Sequence, residues 1–472
     1  MEYTFNFDAS KILEEKFETI EKNIFDFICG LGVQITQCML EQLDKFLMQN
    51  RNKKRYKSKD IKKTSIKTVY GSVEYWRRIY YDTEKHEHIF LLDEKMQMEK
   101  VGMISTNLAK KIAEATIDMP FRKAADTISE TTGQTISSHG VWNVAQQIGQ
   151  VIQDEEQNLV QELHAEQTRG KEESKIIFME SDGVYLHIQK EKKKAPSMEM
   201  KVATVYDGWE EDGTKLHNKV VFAGMEPAKK FNEKTEAVIQ SVFDIDASQL
   251  RVLNGDGANW IKNTYEPDRI FQLDRFHIKK EIRRCVPEKN IRNRILNKFE
   301  NNKMDEMLED IRTYINSIDD GTDEKKVEKA VGLYDYLNNN YDGLLPWQLQ
   351  AGKVPEAPNG ITYKNMGVQE NQNCSLISIR MARRKTRWSV AGANNMAKLI
   401  YMRENGELDR IIEMADGKIM LPAEVIEKLS AGKIQKKVGT GNKWMEKIQV
   451  TIPILDAANG AYSKLLRNIQ NI

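Results

Sequence analysis

The sequence predicts a mixed α/β protein in which a sheet-bearing domain, interrupted by an all-helical insertion, follows helical and small β regions. Three observations predict it. Short apolar runs between residues 175 and 275 end in Asp. Residues 286–350 then turn helical and densely charged. Two further stretches, 51–70 and Arg380–Trp388, gather the basic residues.

A chain of 472 residues exceeds what one core supports, so about two to four domains are expected. The succession of patterns divides it into a helical region 1–50, a basic β-hairpin region 51–95, a helical region 96–165, the sheet-bearing domain 172–400 with its insertion at about 286–355, and a C-terminal region 401–472. Hydrophobic residues at 40% and charged residues at 30% exclude a disordered chain. No run approaches the roughly 18 apolar residues of a membrane span. MEYTFNFDASKILEEKFE lacks the basic-then-apolar order of a leader, and a cytoplasmic protein is expected. Cys29, Cys38, Cys285 and Cys374 form no CxxC pair, which argues against a zinc ribbon and a disulfide framework. His86 and His88, in KHEH, have no second ligand pair nearby and read as a solvated turn. Net charge is only +1, yet residues 51–70 hold nine Lys or Arg against one Asp. A charge run is commonly a solvated face; it is also what a phosphate backbone attracts.

Residues 10–48 place Ile12, Leu13, Phe17, Ile20, Ile24 and Phe25 at helical spacing, a face suited to local core or to dimerisation. TSIKTVYGSVEYWRRIYYD, rich in Thr, Val, Ile and Tyr around Gly71, reads as two strands and a tight turn. Such a ribbon either contacts DNA, with Lys53, Lys54, Arg55, Arg77 and Arg78 as candidate contacts, or packs on a helix. Within residues 104–150, FRKAADTISETTG and QTISSHGVWNVAQQIG form two helices about a Gly133 turn, with Ser137 or Ser138 as cap. That is the helix-turn-helix outline, shared with many helix pairs that never touch DNA. If it reads a major groove, Ser138, His139 and Asn143 are the reading residues. From residue 175 the pattern turns to strands: KIIFMESD ending at Asp182, an alternating strand through Val184, Leu186 and Ile188, and MKVATVYDG. A helix KTEAVIQSVFDI, a strand ending at Asp256 and a strand RIFQLD passing into a helix follow. Three strands, then helix, strand, helix, strand is the order of the ribonuclease H fold.

Asp182 and Asp256 each close an apolar run and precede a glycine, which leaves room for a phosphate near the backbone. The first and fourth strands of that fold are neighbours, so two carboxylates 74 positions apart would lie side by side. Two that close repel unless a cation neutralises them. Phosphodiester chemistry asks for such a set, because two divalent ions about 4 Å apart flank the reacting phosphate. Magnesium needs only a few hard oxygen ligands. A strand-end Asp-Gly is also a common turn, and only the combination of order, strand context and insertion is specific. Glu370 opens the helical stretch after the insertion; Glu404 lies in the same region as its competitor.

Several stretches together resemble the ISLre insertion-sequence transposases, a family long catalogued as uncharacterised proteins. They are KTVYGSVEYWRRIYYD, MESDGVYLHIQ, NGDGANWI, LDRFHIKKEI and GVQENQNCSLISIRMARRKTRWSVAGANNMAKL. The resemblance covers nearly the whole chain, most firmly 64–400. More distantly the chain is similar to Mutator-like transposases, which carry an acidic triad on a ribonuclease H fold with a helical insertion, and a Cys or Asp, two residues, then His after the second Asp. The resemblance implies Asp182, Asp256 and Glu370 as catalytic, metal-binding carboxylates and Asp274 with His277 beside the site. It implies Arg380, Arg384 and Trp388 as holders of the DNA end. It also implies two Mg2+ ions (Mn2+ substituting), DNA terminal repeats and target DNA as partners, and a homodimer or larger on DNA. A domesticated DNA-binding protein without catalysis, and a nuclease of the same fold, are the rival expectations.

Overall fold

The computed structural model describes residues 15–96, 98, 103–168, 170–189, 197–262, 269–318, 324–383 and 386–415. They form two compact units, one of residues up to Leu108 with Asp126–Gly140, the other of Ala109–Ala125 with Val141 onward. The expected region 401–472 lies mostly outside the described residues, as do Ile12, Leu13 and Arg384.

The first unit is built on helix α1 (Phe17–Asn50) and a sheet of β1 (Tyr56–Thr68), β2 (Gly71–Asp82), β3 (Glu87–Ile89) and β4 (Met103–Ile104), in the order β3-β2-β1-β4. The basic run is itself strand: β1 begins eight residues earlier than the residue pattern indicates and pairs antiparallel with β2 from Tyr56↔Asp82 to Thr68↔Gly71. Leu40 and Leu43 of α1 pack with Val73 and Tyr75 of β2 and with Leu92. The N-terminal half of α1 departs from the core expectation. Phe17, Ile24, Phe25 and Ile28 are exposed. By length and composition alone α1 could also span a membrane, a property that the search for unbroken apolar runs overlooks. Helix α2 (Thr106–Asp118) follows β4. The helix pair α3 (Phe121–Thr131) and α4 (Ser138–His164) is present, with Ser137 as the cap through a Gly140 N–H to Oγ bond of 3.1 Å. Its turn docks on the ribbon. The Gly133 N–H donates to the Val69 carbonyl at 2.9 Å, and a Cβ on Gly133 would stand 2.0 Å from the Tyr70 carbonyl oxygen.

The second unit carries the principal sheet: β5 (Ile176–His187), β6 (Ser197–Tyr206), β7 (Val220–Gly224), β8 (Leu250–Gly255) and β9 (Arg269–Leu273), in the order β7-β6-β5-β8-β9. β7, β6 and β5 are antiparallel neighbours, while β8 runs parallel to both β5 and β9. Helix α5 (Ala228–Val242) joins β7 to β8. The mixed α/β class is as expected, but the strand limits are corrected in two places. Residues 176–187 form one continuous strand, with no turn at Gly183. The third strand is Val220–Gly224, whose five residues carry too little pattern to be read. Phe178, Tyr206, Val252 and Trp347 fill one face, with Phe178 stacked on Tyr206 at 5.4 Å.

After β9 come α6 (Arg275–Cys285), α7 (Lys289–Glu300), α8 (Met304–Asn316) and α9 (Glu324–Asn338). Ile282, Ile295, Phe299, Met307, Ile311 and Leu333 form their common core. Across the sheet Glu236 of α5 accepts two hydrogen bonds from Arg251 at 2.9 and 2.8 Å and one from Arg269 at 2.6 Å. Burial alone would raise the Glu236 carboxyl, but these guanidinium groups outweigh it and hold it at about 2. A folded-state value below the unfolded one stabilises the protein at neutral pH and is lost as pH falls from about 4.5 towards 2. Glu236→Gln is expected to cost about 3 kcal/mol at pH 7 and about half of that or less at pH 3, read from denaturant midpoints; an equal cost at both pH values would refute this account.

Candidate active site

Three carboxylates stand at one level of the sheet. Asp182 lies mid-strand in β5, just where pairing with β8 stops at Gly255↔Ser181. Asp256 follows the last residue of β8, and Asp274 follows β9, its N–H donating to the Gly255 carbonyl at 2.8 Å. Asp182 is therefore not a strand end, as the sequence suggests, but the point at which β5 outruns its parallel neighbour. The glycines after the two aspartates have local reasons. Gly257 adopts φ +88°, which a side chain disfavours, and a Cβ on Gly183 would meet Glu199.

Glu370 sits on α10 (Gln369–Gln372), which continues as a π-helical stretch Asn373–Ala382. Long π stretches are rare and cluster at functional sites. Ligand atoms of Asp182, His277 and Glu370 lie within 4.8 Å of one another. The structure thus gathers two of the three expected carboxylates, and joins His277 to them where Asp256 was expected. The Asp256 carboxylate instead accepts from the Ala258 N–H at 2.9 Å, while the Tyr336 hydroxyl donates to its main-chain carbonyl at 2.9 Å. Its charge still reaches both Asp182 and His277. The competitor Glu404 is ion-paired with Lys219 and is not in the cluster.

The electrostatics follow from this crowding. Burial, with help from Asp256 and Glu370, pushes Asp182 up to about 6 against the Gly183 N–H and His277. Asp274 caps α6 and bonds His277 Nδ1 at 2.6 Å. That hydrogen bond holds the imidazole above its ordinary value despite burial, with the charges of Asp274, Asp182 and Asp256 adding to it. Burial would raise Asp274 in turn, but the same bond keeps it low. His277 is thereby fixed in orientation, with Nε2 as its remaining polar atom.

Sequence reasoning missed the residues that hold this set. Asn373 donates to Asp182 Oδ2 at 2.8 Å, and Gln369 orients Asn373 through Oδ1 at 2.9 Å while donating to the Val202 carbonyl at 3.3 Å. Their signal is the spacing of four in QENQN, which puts both amides on one helical face.

The expected DNA contacts divide. Lys53 and Lys54 are exposed, as are Ser138 and His139; Asn143 is half-buried. Arg77 is buried, ion-paired with Asp93 and 3.9 Å from the Phe90 ring centroid. Arg78 is paired with Asp44 of α1, and Arg55 makes a fork on the buried Asp82 at 3.0 and 2.8 Å. Arg380 is buried too, its Nε donating to the Thr116 carbonyl at 2.8 Å and its guanidinium lying over Phe121 and Trp388. Trp388 is 4% exposed and donates to the Met381 carbonyl at 3.1 Å. Arg77, Arg380 and Trp388 are thus buried in packing and ion pairs, unlike the exposed contacts expected of them, while Arg55 and Arg78 are ion-paired but half-buried.

The model of the uncharacterised protein family UPF0236 matches residues 13–418. The chain belongs to that family. A UPF0236 protein of Caldanaerobacter subterraneus subsp. tengcongensis, whose name joins eleven numbered designations, is 23% identical over 80% of this chain and 75% of its own length. A second from the same strain is 22% identical over 80% of this chain and 75% of its own. A UPF0236 protein named for its place in the vanSb 3' region of Streptococcus gallolyticus is 22% identical, covering 79% of each chain. The UPF0236 match spans the ribbon, the sheet and the carboxylate cluster together.

Proposed function

We propose that this chain is the DNA transposase of a bacterial insertion sequence, acting in the cytoplasm through a ribonuclease H-like domain. The observation that carries the reading is the meeting of Asp182 and Glu370, 188 positions apart in sequence, with Asp256 just past the end of the neighbouring strand. Three antiparallel strands followed by two parallel ones, with a helical block before the glutamate, support that reading of the fold. The eleven joined designations of one relative are what an element inserting at many places would leave.

The donor set suits magnesium. Oxygen ligands of Asp182 and Glu370 converge from separate elements beside His277, and to the effect of burial on the Asp182 carboxyl the charges of Asp256 and Glu370 add a repulsion that a cation offsets. Asp182, Asp256 and Glu370 would hold two Mg2+ ions, or Mn2+ in their place. When bound, these ions lower the pKa of the attacking water or 3′-hydroxyl and stabilise the leaving oxygen. The chain's own part is orientation. Asn373 fixes one Asp182 oxygen, and Asp274 holds the His277 ring in a fixed orientation beside it, where its edge can meet a phosphate oxygen.

Element ends would be held by the exposed lysines of the ribbon and its approach, Lys53, Lys54, Lys57, Lys59 and Lys62, and by Ser138 and His139 at the start of α4. Because two ends must be paired, a homodimer or larger assembles on terminal-repeat and target DNA. Lysine contacts release counterions, so affinity for end DNA should fall steeply with salt. The Lys53→Ala, Lys54→Ala double variant is expected to flatten the slope of log affinity against log salt by about 2. An unchanged slope would remove these lysines from the interface.

The decisive experiment is strand transfer on labelled element-end DNA with magnesium. Joining by wild type, lost in Asp256→Asn and Glu370→Gln with binding retained, supports the proposal. DNA binding without cleavage by the wild type would overturn it in favour of a domesticated binding protein, and cleavage without joining in favour of a nuclease.

A further inference from the structure

One step below the three aspartates a chain of buried polar side chains crosses the parallel strands. Asn254 stands in register with Glu180 on one side and Gln272 on the other. Each is 2% exposed or less. Residues two apart on a strand share a face, so Glu180, Asn254 and Gln272 underlie Asp182, Asp256 and Asp274 in turn.

The chain has a direction. The Trp347 main-chain N–H is solely a donor, and it donates to Gln272 Oε1 at 2.9 Å. The Gln272 amide nitrogen must then face Asn254, donating to Oδ1 at 3.0 Å, and the Asn254 amide nitrogen faces Glu180, donating to Oε2 at 3.0 Å. A sequence of donors that starts at a main-chain N–H has to end on an acceptor. Glu180 is that acceptor, and it takes more donors from the other side: the Tyr206 hydroxyl at 2.6 Å and the Gly367 N–H at 3.0 Å on Oε1, and the Val368 N–H at 3.2 and 3.1 Å on Oε1 and Oε2. Gly367 and Val368 lead directly into α10 and Glu370.

We propose that Glu180 is a positioning residue: its carboxylate clamps residues 367–368 to the strand bearing Asp182 and so sets Glu370 opposite Asp182. The proposal rests on the reading of Asp182 and Glu370 as one metal-binding site. An acceptor is required on both oxygens because the Asn254 amide nitrogen as oriented and the Gly367 and Val368 N–H groups can only donate, the Tyr206 hydroxyl alone being able to do either. Glutamine at 180 would turn an amide nitrogen either towards Asn254 or towards the 367–368 N–H groups, and a buried donor would be left unpaired.

The double variant Glu180→Gln, Asn254→Asp is the matching rescue, because it moves the acceptor one strand over. The new amide at position 180 then donates to the new carboxylate at position 254, while its oxygen still faces Tyr206, Gly367 and Val368. The carboxylate at 254 also accepts from Gln272. The test uses full-length protein, amide hydrogen exchange and Mn2+ alone as the metal probe. In Glu180→Gln, exchange at Gly367 and Val368 should accelerate at least about tenfold relative to the amides of β5 and β8. Mn2+ affinity should fall about tenfold. The double variant should recover both. Unchanged exchange at 367–368 in the single variant, or acceleration spread evenly over the sheet, overturns the clamp. A double variant that folds yet stays as loose as the single one overturns it too. If wild type binds no Mn2+ while local exchange responds as described, the clamp stands and the metal-site reading falls.

Discussion

Asp182→Asn is expected to abolish strand joining, by about 10^3-fold or more, and at the same time to make the metal-free protein more stable. The first effect follows from the proposed role: the amide keeps the shape but loses the charge that would hold a cation. The second follows from the crowding around the wild-type carboxyl, which burial and the charges of Asp256 and Glu370 push up to about 6. A folded-state value above the ordinary 3.8 means that the folded protein resists ionisation of this group. It therefore loses stability as pH rises from about 4 through 6. Asparagine cannot ionise and can still accept from Asn373, while its amide nitrogen then faces the Gly183 N–H that the wild-type Oδ1 accepts at 2.7 Å, a loss that offsets part of the gain. A gain of about 1–2 kcal/mol at pH 8 is expected, shrinking to nothing below about pH 3, where the wild-type carboxyl is protonated in both states. Thermal unfolding with chelator at the two pH values measures it. Loss of joining together with loss of stability would mean that Asp182 serves the fold, and the site reading would fail. A group retained at a cost in stability is what a working site predicts.

Much of this site is written in the strands. MESD, NGD and QLD each place a polar residue two positions before an aspartate, at the end of an otherwise apolar run. Alternation puts the pair on one face, so the buried chain and the acidic row above it are the same pattern seen three times. The aspartates are the readable half, because they match known chemistry. Glu180, Asn254 and Gln272 look like breaks in the apolar run until their register is known. The fate of the arginines was not readable for a different reason. RNKKR and YWRRIYYD show charge but not the acids that meet it, and Asp44, Asp82 and Asp93 arrive from other elements. The strand error at Gly183 has the same origin: Asp-Gly signals a turn locally, whereas ten cross-strand pairs with β6 carry β5 through it.

Lys398→Met is expected to destabilise the second unit by about 3–5 kcal/mol, and nothing in MAKLIYM announces it. The residue lies on helix α11 (Val390–Glu404), which is buried along its length from Gly392 to Met402. Lys398 itself is fully buried. Its ammonium donates to the Ala223 carbonyl at 3.0 Å and pairs with Glu156 at 2.8 Å and Glu226 at 3.0 Å. Lys234 answers the same two carboxylates at 2.6 and 3.0 Å. The four charges cancel, and the network ties α4, through Glu156, to α5, α11 and the segment after β7. Further bonds fix the body of α4 to α11: its Gln146 accepts from Asn395 at 2.8 Å and its Gln153 donates to the same residue at 2.6 Å. Methionine fills the lysine's volume but leaves two buried carboxylates to one cation. Burial, opposed mainly by Lys398 and Lys234, leaves Glu226 at about 2 in the wild type; without Lys398 that carboxyl must rise. The Lys398→Met, Glu226→Gln double variant restores neutrality and should recover a large part of the loss. Urea midpoints for the single and double variants decide the matter. A single-variant cost below about 1 kcal/mol would place the network among those that packing can replace freely, and a double variant no better than the single would show that charge balance is not what holds α4 in place.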